Sequence, residues 1–175
     1  MQRREFLINT TLAASAAVVG IDRSVMAAPP VRPLIKKSLK YGMVEEKISV
    51  LDKFKLLKDL GFDGVELDSP NDLDPKEILA ARDKTGLELP GVVNSAHWKS
   101  PLSDADPKVR EVCFKAMEKS LNDCKLYGGT TVLLVPGVVN ATTSYEDAYK
   151  RSQAEIKKLL PIAEKTGIKI ALENV

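Results

Sequence analysis

Residues 130–137 read TTVLLVPG, a nearly uninterrupted apolar run that a Pro-Gly pair closes. A strand with one face in water alternates apolar and polar residues, whereas a continuous apolar run is typical of a parallel strand covered on both faces. Long amphipathic segments lie on either side of the run, and they end at Gly128 and Gly167. This arrangement predicts a strand between two helices in a parallel α/β sheet.

The same unit of short apolar run, turn and amphipathic segment recurs from residue 38 onward. The predicted strands are residues 39–44, 63–67, 88–93, 130–137 and 168–175. Residues typical of helix N-caps lie between the predicted strands and mark where the helices begin. They are Ser49, Asp74 followed by Pro75, Asp106 followed by Pro107, and Ser144. Strict alternation with long connections predicts parallel strands joined by right-handed crossovers, with the helices outside.

Both an open doubly wound sheet and an eight-stranded barrel begin with this alternation. No Gly-x-Gly-x-x-Gly follows a strand and no phosphate-binding Gly-x4-Gly-Lys-Ser/Thr loop occurs, which disfavours a nucleotide-binding sheet. A (β/α)8 TIM barrel is therefore favoured over a nucleotide-binding α/β sheet, although both remain open from the residues alone, and the barrel would be incomplete here because such barrels average about 250 residues. The formal net charge of only +2 argues against a nucleic-acid partner held through its phosphates.

The N-terminus has the pattern of an export signal. The chain begins with the adjacent basic residues Arg3 and Arg4. A moderately apolar stretch follows, and then a group of small residues that ends at Ala27 and is typical of a cleavage site. The pattern resembles a bacterial twin-arginine signal, so residues 1–27 are expected to be a signal peptide and the protein to be periplasmic or otherwise extracytoplasmic. An ordinary secretory signal and an uncleaved anchor are the alternatives. After cleavage no stable membrane span is expected, and the proline-rich residues 28–37 are predicted to form a linker to a barrel domain over residues 38–175.

Export permits disulfides, but Cys113 and Cys124 are not expected to form one. Both fall in one predicted helix, and eleven residues of helix separate them by roughly 16 Å along the axis. We therefore expect two buried, apolar thiols.

Polar residues collect where the predicted strands end, which in parallel barrels is where the chemistry lies. Glu66 lies near the end of the second strand, the sole histidine and tryptophan of the sequence follow the third as His97-Trp98, and Glu173 ends the fifth. Asn94 and Asn174 accompany them. From the residues alone, the carboxylates could equally be solvated strand ends, and the His-Trp pair a loop that caps the barrel mouth.

Three stretches, LGFDGVELDSP, NSAHW and ALENV, resemble the xylose isomerase-like superfamily of sugar and sugar phosphate isomerases and epimerases. The resemblance implies that Glu173 is both a ligand of a divalent metal and an acid/base catalyst. It also implies that His97, with Trp98 beside it, lines the sugar site and that Glu66 contacts substrate or lies at the pocket mouth. The expected metal is Mn²⁺ or Mg²⁺, and a histidine ligand would admit Zn²⁺ or Co²⁺.

The chemistry implied by the resemblance is proton transfer beside a carbonyl through an enediolate, with a small sugar as substrate. The family's other metal ligands lie on strands six to eight, so this chain is expected to be the N-terminal part of such an enzyme and inactive alone. An exported half-barrel that binds sugar or assembles with a partner is the main alternative, and homo-oligomerisation is left open. An abasic-site endonuclease of the same superfamily is disfavoured, because it uses many histidine ligands and this sequence has one.

The twin-arginine hypothesis predicts that Arg3→Lys with Arg4→Lys abolishes export, because that pathway reads the arginine pair itself. The measurement is the fraction of protein recovered in the periplasm, with folding of the retained protein checked by circular dichroism. Continued export of the double variant through the general secretory route would contradict the hypothesis.

Overall fold

A computed structural model describes residues 35–175. The predicted signal peptide, residues 1–27, and residues 28–34 of the predicted linker lie outside the described residues, so both remain predictions. Residues 35–37, the end of that linker, have no regular secondary structure. None of the helices within residues 35–175 combines the length and the apolar character that a membrane crossing requires.

Five parallel strands form one sheet in the order β1-β2-β3-β4-β5, and a helix follows each of the first four strands. In chain order the elements are β1 (Ser38–Lys40), α1 (Val50–Asp59), β2 (Gly64–Ser69), α2 (Pro75–Thr85), β3 (Gly91–Asn94), α3 (Pro107–Tyr127), β4 (Thr131–Leu134), α4 (Tyr145–Thr166) and β5 (Lys169–Leu172). The sequential strand order confirms the predicted incomplete α/β barrel, since each crossover adds the next strand to the same growing edge.

The helix starts follow from the cap residues named in the sequence. Ser49 accepts a hydrogen bond from the backbone N–H of Asp52 at 3.1 Å, and Ser144 accepts one from Asp147 at 3.1 Å. Asp106 does the same for Lys108 at 2.8 Å. Each cap satisfies one of the free N–H groups of the first turn.

All five predicted strands are present, but their bounds need correction. The third, fourth and fifth cover Gly91–Asn94, Thr131–Leu134 and Lys169–Leu172 instead of residues 88–93, 130–137 and 168–175. The first two have the clearest cause. The first strand was predicted over residues 39–44, but β1 ends at Lys40 and a 3-10 turn, Tyr41–Met43, replaces the rest, closed by a 3.1 Å bond from the Val44 N–H to the Tyr41 carbonyl. The second strand was predicted to end at Leu67, but β2 continues to Ser69, because β3 pairs with it as far as Asn94. Pairing with a neighbouring strand, which single-sequence patterns do not contain, sets both ends.

The hydrophobic core lies between the sheet and the helices. Val65 and Leu67 of β2 and Val132 and Leu134 of β4 point to this side and are at most 1% exposed. They pack in one cluster with helix residues such as Phe54 of α1. Since successive strand residues point to opposite faces, the residues between them lie on the other, inner face of the sheet.

The outer face of β5 is covered less well than that of the other strands. Leu172 pairs in register with the fully buried Leu134 of β4, yet Leu172 is 57% exposed. Within residues 35–175, β4 is the one strand that pairs with β5.

Both cysteines of α3 lie in the core, as the apolar-thiol prediction stated. Cys113 and Cys124 are fully buried and unpaired. Burial raises the pKa of Cys113 to about 12, so its thiol stays protonated and behaves as an apolar group.

Leu57→Ala should lower the free energy of unfolding by about 2–5 kcal/mol, because Leu57 is 1% exposed and the substitution leaves a cavity in the core. Leu60→Ala is the matched control, since Leu60 is three residues away and 62% exposed. We expect a change of at most about 0.5 kcal/mol for the control. Urea denaturation followed by far-UV circular dichroism measures both, and equal losses would contradict this placement of the core.

Candidate functional site

A row of charged side chains lies on the inner face of the sheet, near the carboxyl ends of the strands. Lys40 pairs in register with Glu66, and Asp68 with Val93. Partners in parallel strands point to the same side, and Glu66 and Asp68 are two residues apart, so all four share one face. This face is the one opposite the helices.

Glu173 belongs to the same face. Ala171 of β5 is in register with Leu133, which is in turn in register with Val93, and Glu173 follows Ala171 by two residues. Its backbone N–H donates to the Leu134 carbonyl at 3.0 Å and so continues the strand ladder beyond the end of β5. The Glu173 side chain is exposed and makes no hydrogen bond or ion pair with residues 35–175.

The other inner carboxylates already have partners. Asp68 forms an ion pair with Lys40 at 2.8 Å, with side chains 31% and 39% exposed. Glu66 is half-buried and accepts a hydrogen bond from the Ser38 hydroxyl at 3.2 Å. Glu173 is therefore the inner carboxylate with its oxygens free.

His97 is buried, at 3% exposure, in the loop after β3. Its Nδ1 accepts a hydrogen bond from the backbone N–H of Val135, at 3.3 Å. An imidazole that accepts at Nδ1 carries its proton on Nε2, so this contact assigns the tautomer. Nε2–H makes no hydrogen bond within residues 35–175 and remains a donor for a ligand.

The charges that act on His97 are those of the inner row. Burial, and then the nearby Lys40 ammonium, lower the pKa of His97, while Glu173 and Asp68 act in the opposite direction and raise it. The net direction is down from 6.5. The lowered pKa favours the neutral imidazole at pH 7, and the charges of Lys40, Glu173 and Asp68 all act on it.

Trp98 is 57% exposed, and its ring contacts the His97 ring edge-on with centroids 5.4 Å apart. The contact joins two of the three predicted substrate-binding residues into one unit. An exposed indole at this position offers an apolar surface beside a hydrogen-bond donor, and its role in substrate binding remains a prediction.

Asn94 does not belong to this site, although it ends β3 as expected. Its side-chain amide donates to the Ser120 hydroxyl at 3.3 Å, so Asn94 points to α3 on the outer face. Lys40 and Asp68 do lie on the inner face, but they were not predicted as site residues. The signal was present, because Asp68 follows Glu66 by two residues and must share its face once the strand extends that far.

Residues 35–175 do not fit a metal site by themselves. They contain no group of three or more histidine, cysteine, aspartate or glutamate side chains placed to hold a metal ion. Glu173 offers one free carboxylate, whereas Mg²⁺ and similar ions take about six oxygen ligands. The predicted role of Glu173 as a metal ligand is thus not supported by a donor set within the described residues.

Comparison with known proteins identifies the family. The model of the xylose isomerase-like TIM barrel family matches residues 54–175. The chain belongs to this family. The match spans β2 to β5 and includes Glu66, His97, Trp98 and Glu173.

Proteins whose sequence or structure is similar to this chain include sugar epimerases. The L-ribulose-5-phosphate 3-epimerase of Salmonella paratyphi B is 23% identical over 156 residues, which are 80% of this chain and 55% of that protein. Among solved structures, the 3-keto-D-glucoside 4-epimerase of E. coli matches with a TM-score of 0.66 and 20% identity, over 80% of this chain and 55% of that one.

A D-psicose 3-epimerase from Clostridium cellulolyticum H10, solved with D-tagatose, matches equally well. The TM-score is 0.66 at 19% identity, and the match covers 81% of this chain and 53% of that one. The chain therefore spans about half the length of the relatives it matches. At these identities the structural matches establish the fold, and the fold is the one predicted from the sequence.

The burial of His97 predicts how stability depends on pH. The pKa of His97 is lowered by folding, so below about pH 6.5 the unfolded chain binds a proton that the folded chain does not. Stability should therefore fall as pH drops through 6.5 and stop falling, for this group, below the lowered pKa. Urea denaturation across pH 5–8 measures the effect, and His97→Gln should remove this component. An imidazole pKa at or above 6.5 by NMR would contradict the prediction.

Proposed function

We propose that this chain contributes the residues that transfer the proton in the active site of a sugar epimerase or isomerase. The observation that carries the proposal is a carboxylate on the inner face, Glu173, whose charge acts on a buried imidazole, His97, with Nε2–H free to donate. Membership in the xylose isomerase-like family and the similarity to three sugar epimerases support it.

Glu173 is the general base of the proposed reaction. Its oxygens have no hydrogen-bond partner within residues 35–175, and a carboxylate can take the proton from the carbon beside a sugar carbonyl. The electrons of the C–H bond then form the enediolate. Return of the proton to the neighbouring carbon gives an isomer, whereas epimerisation needs a second acid on the opposite face of the substrate.

His97 is the proposed donor to the developing enediolate or to a sugar hydroxyl. Its Nε2–H is fixed as the free donor by the bond that Nδ1 accepts from Val135. Burial keeps the ring neutral, so His97 orients a neutral hydroxyl or carbonyl oxygen without adding a charge. Trp98 would pack against the carbon skeleton of the same sugar, and Glu66 would accept from a hydroxyl.

The remaining parts of the proposal rest on the sequence. Export to the periplasm follows from Arg3 and Arg4, a small sugar is the expected partner, and a divalent metal would need ligands beyond those in residues 35–175. A half-barrel that binds sugar without chemistry, as a binding module, is the alternative.

Sugar binding can be tested on the 175-residue chain, because it contains one histidine and one tryptophan and both lie in the site. D-fructose should shift the His97 ring signals in NMR and change Trp98 fluorescence, and His97→Ala should weaken binding about tenfold through loss of one hydrogen bond. Glu111→Gln, an exposed carboxylate on α3, is the matched control. If both signals of the parent chain changed linearly with D-fructose concentration and did not saturate, the result would count against a sugar site.

Catalysis can be tested in a chimera that joins residues 35–175 to the C-terminal half of the D-psicose 3-epimerase. Glu173→Gln keeps the size of the side chain but removes its basicity, so deuterium exchange beside the carbonyl should slow by roughly 10²–10⁴-fold. His97→Ala should mainly raise KM. Near-normal exchange in Glu173→Gln would show that the base lies elsewhere, and binding with no exchange in the parent chimera would favour the binding module.

A further inference from the structure

Two loops at the carboxyl end of the sheet are joined to each other at two points. The β3 loop (residues 95–106) follows β3 and carries His97, and the β4 loop (residues 135–144) follows β4. The first point is the bond from the Val135 N–H to His97 Nδ1, which at 3.3 Å is long for a hydrogen bond. A bond of this length does not hold a ring in one orientation by itself.

The second point is Ser103, whose hydrogen bonds to the β4 loop are shorter than the one made by His97. Ser103 is fully buried, and its hydroxyl accepts from the Val138 N–H at 2.8 Å and donates to the Val138 carbonyl at 3.1 Å. One side chain thus satisfies both backbone groups of a residue in the other loop. Six residues separate Ser103 from His97, so the two points lie at opposite ends of one loop segment.

Two arginines hold the far end of the β3 loop against the helices. Arg110 of α3 donates to the carbonyls of Asp104 and Ala105, at 2.8 and 3.0 Å. Arg151 of α4 donates to the Ser103 carbonyl at 3.2 Å. Arg110 is itself fixed by an ion pair with the nearly buried Glu155, at 3.1 Å. Three consecutive carbonyls at the Ser103 end of the loop are therefore held by side chains of the helices.

The β4 loop packs closely on Ser103 at Gly137. A Cβ added at Gly137 would lie 2.9 Å from the Ser152 hydroxyl and 3.0 Å from the Ser103 Cβ. The Ser152 hydroxyl can rotate away, whereas the Ser103 Cβ would have to give by a few tenths of an ångström, so an alanine at this position crowds the contact between the two loops. The close approach shows that the two loops meet as one packed unit.

We propose that Ser103 is a positioning residue that sets the orientation and tautomer of His97 by holding the β3 loop against the β4 loop. With the loops together, the Val135 N–H faces Nδ1 and Nε2–H is left as the free donor. Ser103 itself lies against Val138 and the helices, so it acts through His97. The importance of this donor for a substrate rests on the proposed function, whereas the positioning does not.

The tautomer of His97 can be read directly by long-range ¹H–¹⁵N NMR on the ¹⁵N-histidine-labelled chain at pH 8. The sequence holds one histidine, so its signals need no assignment. The parent chain should show the Nε2–H form. In Ser103→Ala the Nδ1–H form should rise about fivefold relative to the Nε2–H form, the effect of weakening one hydrogen bond. Ser103→Cys, with a weak hydrogen-bonding group of similar shape, should give an intermediate ratio.

Gly137→Ala crowds the contact between the loops from the other side while keeping the Ser103 hydroxyl, and it should change the tautomer ratio in the same direction. If either variant fails to fold, the other decides. Ser95→Ala is the matched control, because Ser95 lies in the same loop but bonds to the Pro70 carbonyl at 2.8 Å and not to the β4 loop. Its ratio should equal that of the parent chain.

An unchanged ratio in a folded Ser103 or Gly137 variant, or an equal change in Ser95→Ala, would overturn the inference. D-fructose separates this result from the proposed function. If the tautomer ratio responds to Ser103→Ala but D-fructose shifts the Nε2 signal in no variant, the positioning stands and the sugar proposal fails. If D-fructose shifts the signal and the ratio does not respond, the positioning fails alone.

Discussion

Alternation along five parallel strands is the constraint on which the rest of this structure depends. A strand covered by helices must send every second side chain into the apolar layer, and Val65, Leu67, Val132 and Leu134 do so with at most 1% exposure. The residues between them are then fixed on the opposite face, whatever their chemistry. One charged row forms on the inner face because positions that alternate with core residues must point away from the core. The row consists of Lys40, Glu66, Asp68 and Glu173.

Helices and their caps were readable from the sequence because their signals are local. Asp106-Pro107 and Gly128 bound α3 as predicted, since a cap is a contact between residues two to four apart. Strand ends were read less well, because β2 stops where its partner stops. The buried Ser120 and Asp123 on α3 could not be foreseen either, since their partners Asn94 and Ser69 are 26 and 54 residues away.

The candidate site divides in the same way. Glu66, His97, Trp98 and Glu173 could be named from strand ends and from the family resemblance. The structure places the two glutamates on the inner face, and the charge of Glu173 acts on His97. What the sequence could not supply is the state of each group. The neutrality of His97 comes from burial, and its tautomer from the backbone N–H of Val135 in the β4 loop. The partner of Asp68, Lys40, lies 28 residues earlier. Such states are products of tertiary structure.

The half-exposed ion pair of Lys40 and Asp68 bears on which face of the sheet tolerates substitution. Its side chains are 39% and 31% exposed, so replacing both would change the free energy of unfolding by only about 0–1 kcal/mol. Loss of the neighbouring buried Leu67 would cost about 2–5 kcal/mol. Substitutions at positions 40 and 68 should therefore cost little stability, whereas substitutions of buried residues on the outer face should cost much. The alternation that built the fold thus leaves the inner face able to change its charge without loss of the core.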